Sequence, residues 1–231
     1  MILTDPPYAI FGSSTGVSSD VTDDRIVRPF FRAVARLASA TLDTHGHAYS
    51  FCDWRSWASL WDGFRAGGLA VRNMIVWDKG SGQGAFFTNT HELVAFAEHL
   101  PRISNTFDTR QGAEGFRPIY VANVIRENRA HGADRLHNAA KPVALLERFV
   151  EASSERGGVV VDPFTGSGST LIAADNLGRR AVVVDVEGGW CDVTVNRWQD
   201  LTGRKARRLP GHADGFLLQD DGERTDGEDT A

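Results

Sequence analysis

Short runs of apolar residues alternate along this chain with longer segments in which apolar residues recur every three or four positions. The short runs are typical of buried strands, and the longer spacing is typical of helices that bury one face. The predicted strands are Met1–Thr4, His47–Cys52, Asn73–Trp77, His91–Glu98, Gly158–Asp162 and Arg180–Asp185. The predicted helices run from Asp24 to Leu37, Trp54 to Phe64, Lys141 to Val150, Gly168 to Leu177 and Gly188 to Leu201. Strands that alternate with helices predict an α/β fold with a mostly parallel sheet covered by helices on both faces.

The negative charge of the chain is concentrated at one end. The formal net charge is −5, but residues 211–231 hold seven acidic residues and one arginine, which leaves residues 1–210 near +1. The acidic segment is rich in glycine and poor in apolar residues, so we expect it to be a disordered tail. Residues 1–210 are enough for one domain with its own core, and a local basic face would let that domain bind an anionic partner.

Cysteine content and hydropathy indicate the compartment. The two cysteines are Cys52 and Cys191, so a disulfide framework is not expected and a reducing environment fits the chain. Apolar runs stay well short of the roughly 20 residues that span a bilayer. The first residues also lack the basic and apolar segments of a secretory signal. We therefore predict a cytoplasmic protein without a membrane partner.

A glycine-rich turn joins the strand near residue 160 to the next predicted helix. It reads Asp162-Pro163-Phe164-Thr165-Gly166-Ser167-Gly168-Ser169-Thr170. Glycines let the backbone approach a ligand closely, and the N–H groups at a helix start favour a carboxylate or a phosphate. A phosphate-binding P-loop needs a lysine after its last glycine, whereas Gly168 is followed by serine. A dinucleotide-binding Gly-x-Gly-x-x-Gly is not met either, and a plain tight turn remains the structural alternative.

A second motif, Asp5-Pro6-Pro7-Tyr8, follows the first predicted strand. Asp5 offers a carboxylate as a hydrogen-bond acceptor, and two prolines hold the carbonyl of Pro6 in a fixed direction. Tyr8 offers an aromatic face. Taken alone, the motif is also a common composition for a turn.

Together and in this order, the two motifs resemble the catalytic and cofactor loops of the N6-adenine/N4-cytosine DNA methyltransferases. The catalytic loop comes first, which is the beta-type order of that family. Residues 51–55, 75–79 and 90–92 also resemble segments of its small phage-type and restriction-modification-type adenine methylases. The resemblance implies a doubly wound, Rossmann-like methyltransferase domain over residues 1–210, with S-adenosylmethionine as the cofactor.

The resemblance also assigns roles to individual residues. Asp5 and the carbonyl of Pro6 would accept the hydrogens of the target amine, and Tyr8 would stack on a base flipped out of the duplex. The catalytic residues implied are Asp5, Pro6, Pro7 and Tyr8. The cofactor-binding residues implied are Asp162, Phe164, Thr165, Gly166, Ser167, Gly168, Thr170, Asp185 at the ribose, and His137 and Lys141 from the preceding segment. The methyl group would pass directly to the amine, without a covalent enzyme intermediate and without a metal.

Little of the chain remains to read a DNA sequence. The resemblance places a short target-recognition insertion near residues 100–136, where arginines could contact phosphates or guanines. These candidate DNA-binding residues are Arg102, Arg110, Arg117, Arg126 and Arg129. Any one of them is also compatible with a solvated surface arginine. The implied partner is double-stranded DNA, and the resemblance also admits a homodimer and a cognate restriction enzyme.

Three alternatives bear on the function. Methylation of cytosine N4 is the nearest, although that subgroup more often has Ser in place of Asp5. Cytosine-C5 methylation is rejected, because it needs a nucleophilic cysteine and neither Cys52 nor Cys191 lies in a suitable loop. A degenerate, non-catalytic DNA-binding module is the third, because the family usually has a longer segment ahead of the catalytic loop. For the same reason we expect the adenosine side of the cofactor pocket to be less enclosed than the methionine side.

Overall fold

The computed structural model describes residues 1–7, 24–99 apart from Gln83 and Ala85, 122–129, 140–208 and 216–217. The strands in these ranges are β1 (Ile2–Thr4), β2 (Ala48–Cys52), β3 (Leu69–Asp78), β4 (His91–His99), β5 (Val124–Arg126), β6 (Val159–Asp162), β7 (Arg180–Val183), β8 (Arg207–Arg208) and β9 (Phe216–Leu217). The helices are α1 (Asp24–Thr41), α2 (Trp57–Ala66), α3 (Val143–Ser153), α4 (Ser169–Asn176) and α5 (Gly188–Thr202).

Seven strands form one sheet in the order β5-β3-β4-β2-β1-β6-β7. β4 is antiparallel to both β2 and β3, and the other pairs in the sheet are parallel. The predicted α/β fold with a mostly parallel sheet is therefore confirmed. Because β4 runs against its neighbours, its first residues lie at the edge where the other strands end.

The chain reverses its direction of travel across the sheet between β1 and β6. From β1 the chain passes through α1 to β2 on one side, whereas from β6 it passes through α4 to β7 on the other side. Right-handed crossovers in opposite directions place α1 and α2 on one face and α3 and α4 on the other. The loops after β1 and β6 thus diverge from neighbouring strands, and such a switch point is where open α/β sheets bind ligands.

Aromatic side chains fill the core beneath α3. The ring of Tyr49 on β2 stacks on that of Phe149 on α3, with centroids 4.9 Å apart. Phe51, two residues along β2, meets Phe149 edge-on at 6.3 Å. The two-residue spacing puts both β2 side chains on the same face of the sheet. On this face, Phe51 also lines the cavity beside the loop that follows β1.

On the other side of the domain, α1 and α2 pack closely because two glycines face α1, one within α2 and one directly after it. A Cβ at Gly63 would lie 2.7 Å from the Cβ of Phe31, and one at Gly67 would lie 2.5 Å from the Cβ of Ala35. Contacts that short do not occur between carbon atoms, so the approach of the two helices depends on glycine at both positions.

The structure differs from the predicted elements in a few places. β5 was not predicted, because three residues carry no measurable period, yet Ile125 is buried and the strand extends the sheet beside β3. Part of the predicted recognition insertion is therefore a strand of the main sheet. α2 begins at Trp57 rather than Trp54, since Asp53 Oδ1 accepts a hydrogen bond from the amide of Ser56 at 2.9 Å and forms a turn there.

The predicted disordered tail has one exception among the described residues. Phe216–Leu217 pairs antiparallel with Arg207–Arg208, so this part of residues 211–231 has regular structure. The rest of the tail, and most of the insertion near residues 100–136, lie outside the described residues. In the part of the chain that is described, no helix combines the length and apolar character needed to cross a bilayer.

The close packing of α1 on α2 makes Gly63 sensitive to a single added methyl group. We expect Gly63→Ala to lower the free energy of unfolding by about 1–3 kcal/mol, since overpacking forces the two helices apart. Gly189→Ala is the matched control, because a Cβ there would meet no described atom within 4 Å. Urea unfolding should show little loss, or a small gain, for the control. Equal losses for both variants would contradict the packing argument.

Candidate active site

A cavity of about 400 Å³ opens at the carboxyl edge of the sheet, between the loops that follow β1 and β6. Its volume lies in the range of sites for small organic ligands. The predicted site residues that line it are Asp5, Pro6, Pro7, Lys141, Asp162, Phe164, Thr165, Gly166, Ser167, Thr170 and Asp185. Gly168 is not a lining residue, and Tyr8 and His137 lie outside the described residues. The structure thus brings most of the two predicted loops to one cavity.

Asp162 ties the two loops together. Its Oδ1 accepts hydrogen bonds from Thr4 Oγ1 at 2.9 Å and from the amide of Phe164 at 3.0 Å, and its Oδ2 accepts one from Thr170 Oγ1 at 2.6 Å. Burial raises the pKa of this carboxyl to about 6, although the three hydrogen bonds partly oppose the shift. Both oxygens are engaged within the protein, so Asp162 shapes the loop. Its predicted contact with a cofactor stays a prediction.

Helix α5 holds the glycine loop from behind. Thr194 Oγ1 donates a hydrogen bond to the carbonyl of Gly166 at 2.9 Å. Arg197 Nη1 donates to the carbonyl of Ser167 at 3.0 Å and to Ser169 Oγ at 3.1 Å. Neither Thr194 nor Arg197 was predicted, because nothing in the pattern of α5 distinguishes them from other polar helix residues.

The contact between the glycine loop and α5 requires glycine at position 168. Its φ is +80°, in the left-handed region that favours glycine, and a Cβ there would lie 2.7 Å from Thr194 Cγ2. Gly168 precedes α4 directly, so its conformation sets the direction in which the first N–H groups of α4 point. The second glycine of the motif therefore has a structural role in forming the turn.

Asp185 closes the other side of the loop. Its Oδ2 accepts a hydrogen bond from the amide of Gly166 at 2.9 Å, and its Oδ1 accepts one from the amide of Glu187 at 3.0 Å. Glu187 and Trp190 also line the cavity beside it, and neither was predicted from the sequence. The predicted contact of Asp185 with a ribose stays a prediction, but the residue is placed at the cavity wall.

Two features suit this wall to a polar ligand. Thr165 is buried, and its Oγ1 has no hydrogen-bond partner among the described residues. A Cβ built on Gly166 would meet no described atom within 4 Å, so the backbone there faces open space. A buried hydroxyl without a partner is costly, and a ligand with polar groups would satisfy it.

Lys141 contacts the loop after β1 directly. Its Nζ lies 2.6 Å from Asp5 Oδ2 and 3.1 Å from Glu92 Oε2, and it stands over the ring of Phe51 at 5.0 Å. On the far side, Glu92 Oε1 lies 3.1 Å from Lys79 Nζ. Lys141 was predicted as a cofactor residue. It does line the cavity, and its ammonium group also forms ion pairs with Asp5 and Glu92.

The charges of this cluster reinforce one another. Burial alone would lower the pKa of Lys141, but the carboxylates of Asp5 and Glu92 raise it above its ordinary value. Burial opposes ionisation of Glu92, but the ammonium groups of Lys141 and Lys79 lower its pKa to about 2. Lys141 and Glu92 are therefore both charged near neutral pH.

Two of the five predicted DNA-binding arginines lie among the described residues. Arg126 lies at the end of β5 with its side chain 77 % exposed, 3.9 Å from Asp78, and Arg129 is partly exposed just beyond it. Arg102, Arg110 and Arg117 lie outside the described residues. Because β3 and β5 are parallel to β1, Arg126 lies at the edge of the sheet that carries the cavity.

Cys52 is unsuited to nucleophilic chemistry. It is fully buried at the end of β2, and burial raises the pKa of its thiol well above the ordinary value. A protonated thiol is a poor nucleophile. The rejection of cytosine-C5 chemistry, which rested on sequence context, thus has support from the environment of this residue.

Comparison with known proteins agrees with the geometry. The family model for DNA methylases matches residues 1–196. The type II methyltransferase M2.DpnII of Streptococcus pneumoniae is 26% identical over 220 residues, which cover 85% of this chain and 81% of that protein. The structure of the M1.HpyAVI–SAM complex has a TM-score of 0.65 at 21% identity, covering 85% of this chain and 87% of that one. The PvuII cytosine-N4-specific DNA methyltransferase has a TM-score of 0.61 at 14% identity, covering 85% of this chain and 78% of that one.

Asp162 should make the stability of the protein depend on pH. Its folded-state pKa of about 6 lies above the ordinary 3.8, so folding favours the protonated form. The stabilisation is fully present below the ordinary value and is lost as the pH rises through about 6. Between about pH 4 and about pH 7, the free energy of unfolding of the wild type relative to Asp162→Asn should fall by roughly 2–3 kcal/mol. Urea unfolding across this range checks it, and a constant difference would show that Asp162 titrates normally.

Proposed function

The chain belongs to the N6/N4 DNA methylase family, and we propose that it transfers a methyl group from S-adenosylmethionine to the N6 amine of an adenine flipped out of double-stranded DNA. The observation that carries this proposal is that one cavity is walled by Asp5, Pro6 and Pro7 on one side and by the glycine loop, residues 162–170, on the other. A methyl donor and an acceptor amine must meet in one place, and this cavity offers a wall suited to each.

The glycine loop fits the cofactor. S-adenosylmethionine supplies, when bound, an electrophilic methyl group on a positively charged sulfur. Its carboxylate suits the N–H groups at the start of α4, and its other polar groups would satisfy the buried hydroxyl of Thr165. We assign Asp185 to the ribose and Phe164 to the cavity wall beside it. The relative M1.HpyAVI is described in complex with this molecule.

Asp5 and Pro6 would activate the amine. The lone pair of an exocyclic amine is delocalised into its ring, which makes the nitrogen a weak nucleophile. The carboxylate of Asp5 and the carbonyl of Pro6 can accept the two amine hydrogens, which draws the nitrogen toward tetrahedral geometry and localises its lone pair. Both acceptors are held in place before the base arrives, as effective electrostatic catalysis requires.

Cytosine N4 is the second candidate for the acceptor. The amines of adenine and cytosine are chemically alike, and one structural relative is specific for cytosine N4. We favour adenine because Asp5 occupies a position where the cytosine subgroup more often has serine. For the DNA partner we assign Arg126 and Arg129 to phosphate or base contacts at the edge of the sheet that carries the cavity. The homodimer, the restriction enzyme and a phage or restriction-modification context stay predictions.

The base can be identified directly. The protein is incubated with S-adenosylmethionine carrying a labelled methyl group and with unmodified genomic DNA, and the DNA is then digested to nucleosides. Mass spectrometry should find the label in N6-methyl-2′-deoxyadenosine. Label in N4-methyl-2′-deoxycytidine would select the second candidate. DNA without label, from a protein that still binds DNA, would favour the non-catalytic module.

Asp5 is expected to be essential for transfer but not for cofactor binding. Asp5→Ala should abolish methyl transfer while the affinity for S-adenosylmethionine stays within a few-fold of wild type, because the carboxylate is assigned to the base. Transfer rates and calorimetry on the same preparation check both halves. Near wild-type transfer by this variant would disprove the assignment.

Gly166 is expected to be essential for cofactor binding but not for folding. Its φ is +51°, and the space around its missing side chain is open toward the cavity. Gly166→Val would place a branched side chain where the ligand must approach, so we expect S-adenosylmethionine binding to be lost. Valine is strained at this positive φ, so the variant should still fold but unfold at a lower temperature than wild type. Unchanged cofactor affinity by calorimetry would mean that the loop is only a turn.

A further inference from the structure

We propose that Lys141 is a positioning residue for Asp5, and that Glu92 and Lys79 hold Lys141 in that position. The four side chains form a line of alternating charge, Lys79–Glu92–Lys141–Asp5, with nitrogen-to-oxygen distances of 3.1, 3.1 and 2.6 Å. This inference rests on the proposed function, because it assigns Asp5 to the target amine.

The line is assembled from four separate parts of the chain. Asp5 follows β1 and Lys79 follows β3. Glu92 is the second residue of β4, and Lys141 precedes α3. Glu92 reaches this edge because β4 is antiparallel to its neighbours and so begins where they end. Residues from four elements thus fix one carboxylate, and each anchors the next.

Burial makes the line a strong constraint. The side chains of Lys79 and Lys141 are 5 % and 7 % exposed, and that of Glu92 is 19 % exposed. An ammonium group away from water must keep its ionic partners, since an uncompensated buried charge is very costly. Lys141 therefore has little freedom to move, and neither does the oxygen of Asp5 to which it is bound.

The use of lysine at positions 79 and 141 also supports a role for this line of charges. Of the 25 basic residues in the chain, 22 are arginine and three are lysine. Two of those three lysines lie in this line. Lysine carries a compact point charge, whereas arginine carries a planar fork that needs more space. An ammonium fits between two carboxylates in a confined site, which explains lysine here in a chain that otherwise uses arginine.

The arrangement would serve the reaction in two ways. The ammonium of Lys141 favours the ionised form of Asp5, and only an ionised carboxylate is purely an acceptor for amine hydrogens. With Oδ2 bound to Lys141, the rotation of the carboxylate is fixed, so its acceptor directions toward the cavity are fixed as well. A small misplacement of such a group can cost roughly 100-fold in rate.

Steady-state kinetics separates this role from direct cofactor binding, which the sequence resemblance suggested for Lys141. We expect Lys141→Met to lower kcat roughly 100-fold while the Kd for S-adenosylmethionine stays within a few-fold of wild type. Lys205→Met is the matched control, because Lys205 is the third lysine and is exposed outside the cavity. A variant with a much weaker Kd and a wild-type kcat at saturating cofactor would overturn the proposal.

Glu92→Gln provides a second variant should Lys141→Met fold poorly. Glutamine keeps the shape of the side chain, and among the described residues Glu92 is not part of the cavity wall. A loss of kcat at unchanged cofactor Kd is the result expected if Glu92 acts through its ion pair with Lys141. We expect a loss of at least several-fold with an unchanged far-UV spectrum. A wild-type kcat in Glu92→Gln would show that Glu92 does not support Lys141.

A titration independent of activity completes the test. With lysine labelled in its ε-carbon with ¹³C, the three lysines give separate signals, and Lys141 is assigned by its loss in Lys141→Met. The groups that face Lys141 are Asp5 and Glu92, with Lys79 beyond Glu92. Because Asp5 raises the pKa of Lys141, its signal should titrate at lower pH in Asp5→Asn than in wild type.

An unchanged Lys141 titration in Asp5→Asn would overturn the contact on which the proposal depends. This readout also separates the two levels of inference. A wild-type protein that transfers no methyl group to any DNA would disprove the proposed function, and the titration would still decide whether Lys141 holds Asp5.

Discussion

The hydrogen bond from Thr4 to Asp162 joins two loops that are 158 residues apart in the chain and makes them one site. It lies between the ends of β1 and β6, the neighbouring parallel strands at which the chain reverses direction across the sheet. A buried carboxylate requires donors from its surroundings, and Asp162 takes them from β1, from its own loop and from α4. The three hydrogen bonds to the Asp162 carboxylate therefore hold the two sides of the cavity together.

The glycine loop is held from two further sides. Thr194 and Arg197 of α5 bind its carbonyl groups from behind, and Asp185 binds the amide of Gly166 at the end of β7. These contacts engage the carbonyl groups of Gly166 and Ser167 and the amide of Gly166. The open backbone at Gly166 and the hydroxyl of Thr165 are what remains on the cavity side, which is why the loop is suited to a polar ligand.

The antiparallel strand β4 brings the carboxylate of Glu92 to the side of the cavity where Asp5 lies. A fully parallel sheet would have placed Glu92 at the opposite edge, far from Asp5. With β4 reversed, Glu92 meets Lys79 and Lys141, and the pair of lysines is compensated within a buried region. Buried ion pairs contribute little net stability in general, so the value of this one lies in the geometry that it imposes on Asp5.

The sequence by itself determined the longer elements, the fold class and the two motifs, because strand and helix periods and turn-forming residues are local properties that can be read within a dozen positions. It also determined the family, since both motifs are contiguous. It did not indicate β5, whose three residues are too few to show a period. It also did not indicate the hydrogen bonds from Thr194 and Arg197 of α5 to the glycine loop.

Only the tertiary structure decided what each polar side chain contacts. Asp162 lines the cavity and also binds three groups of the protein, and the ammonium of Lys141 binds Asp5 across 136 residues. Such pairings depend on which strand ends share an edge and on which charges burial forces together. Those are properties of the packed sheet, and no local pattern in the chain encodes them.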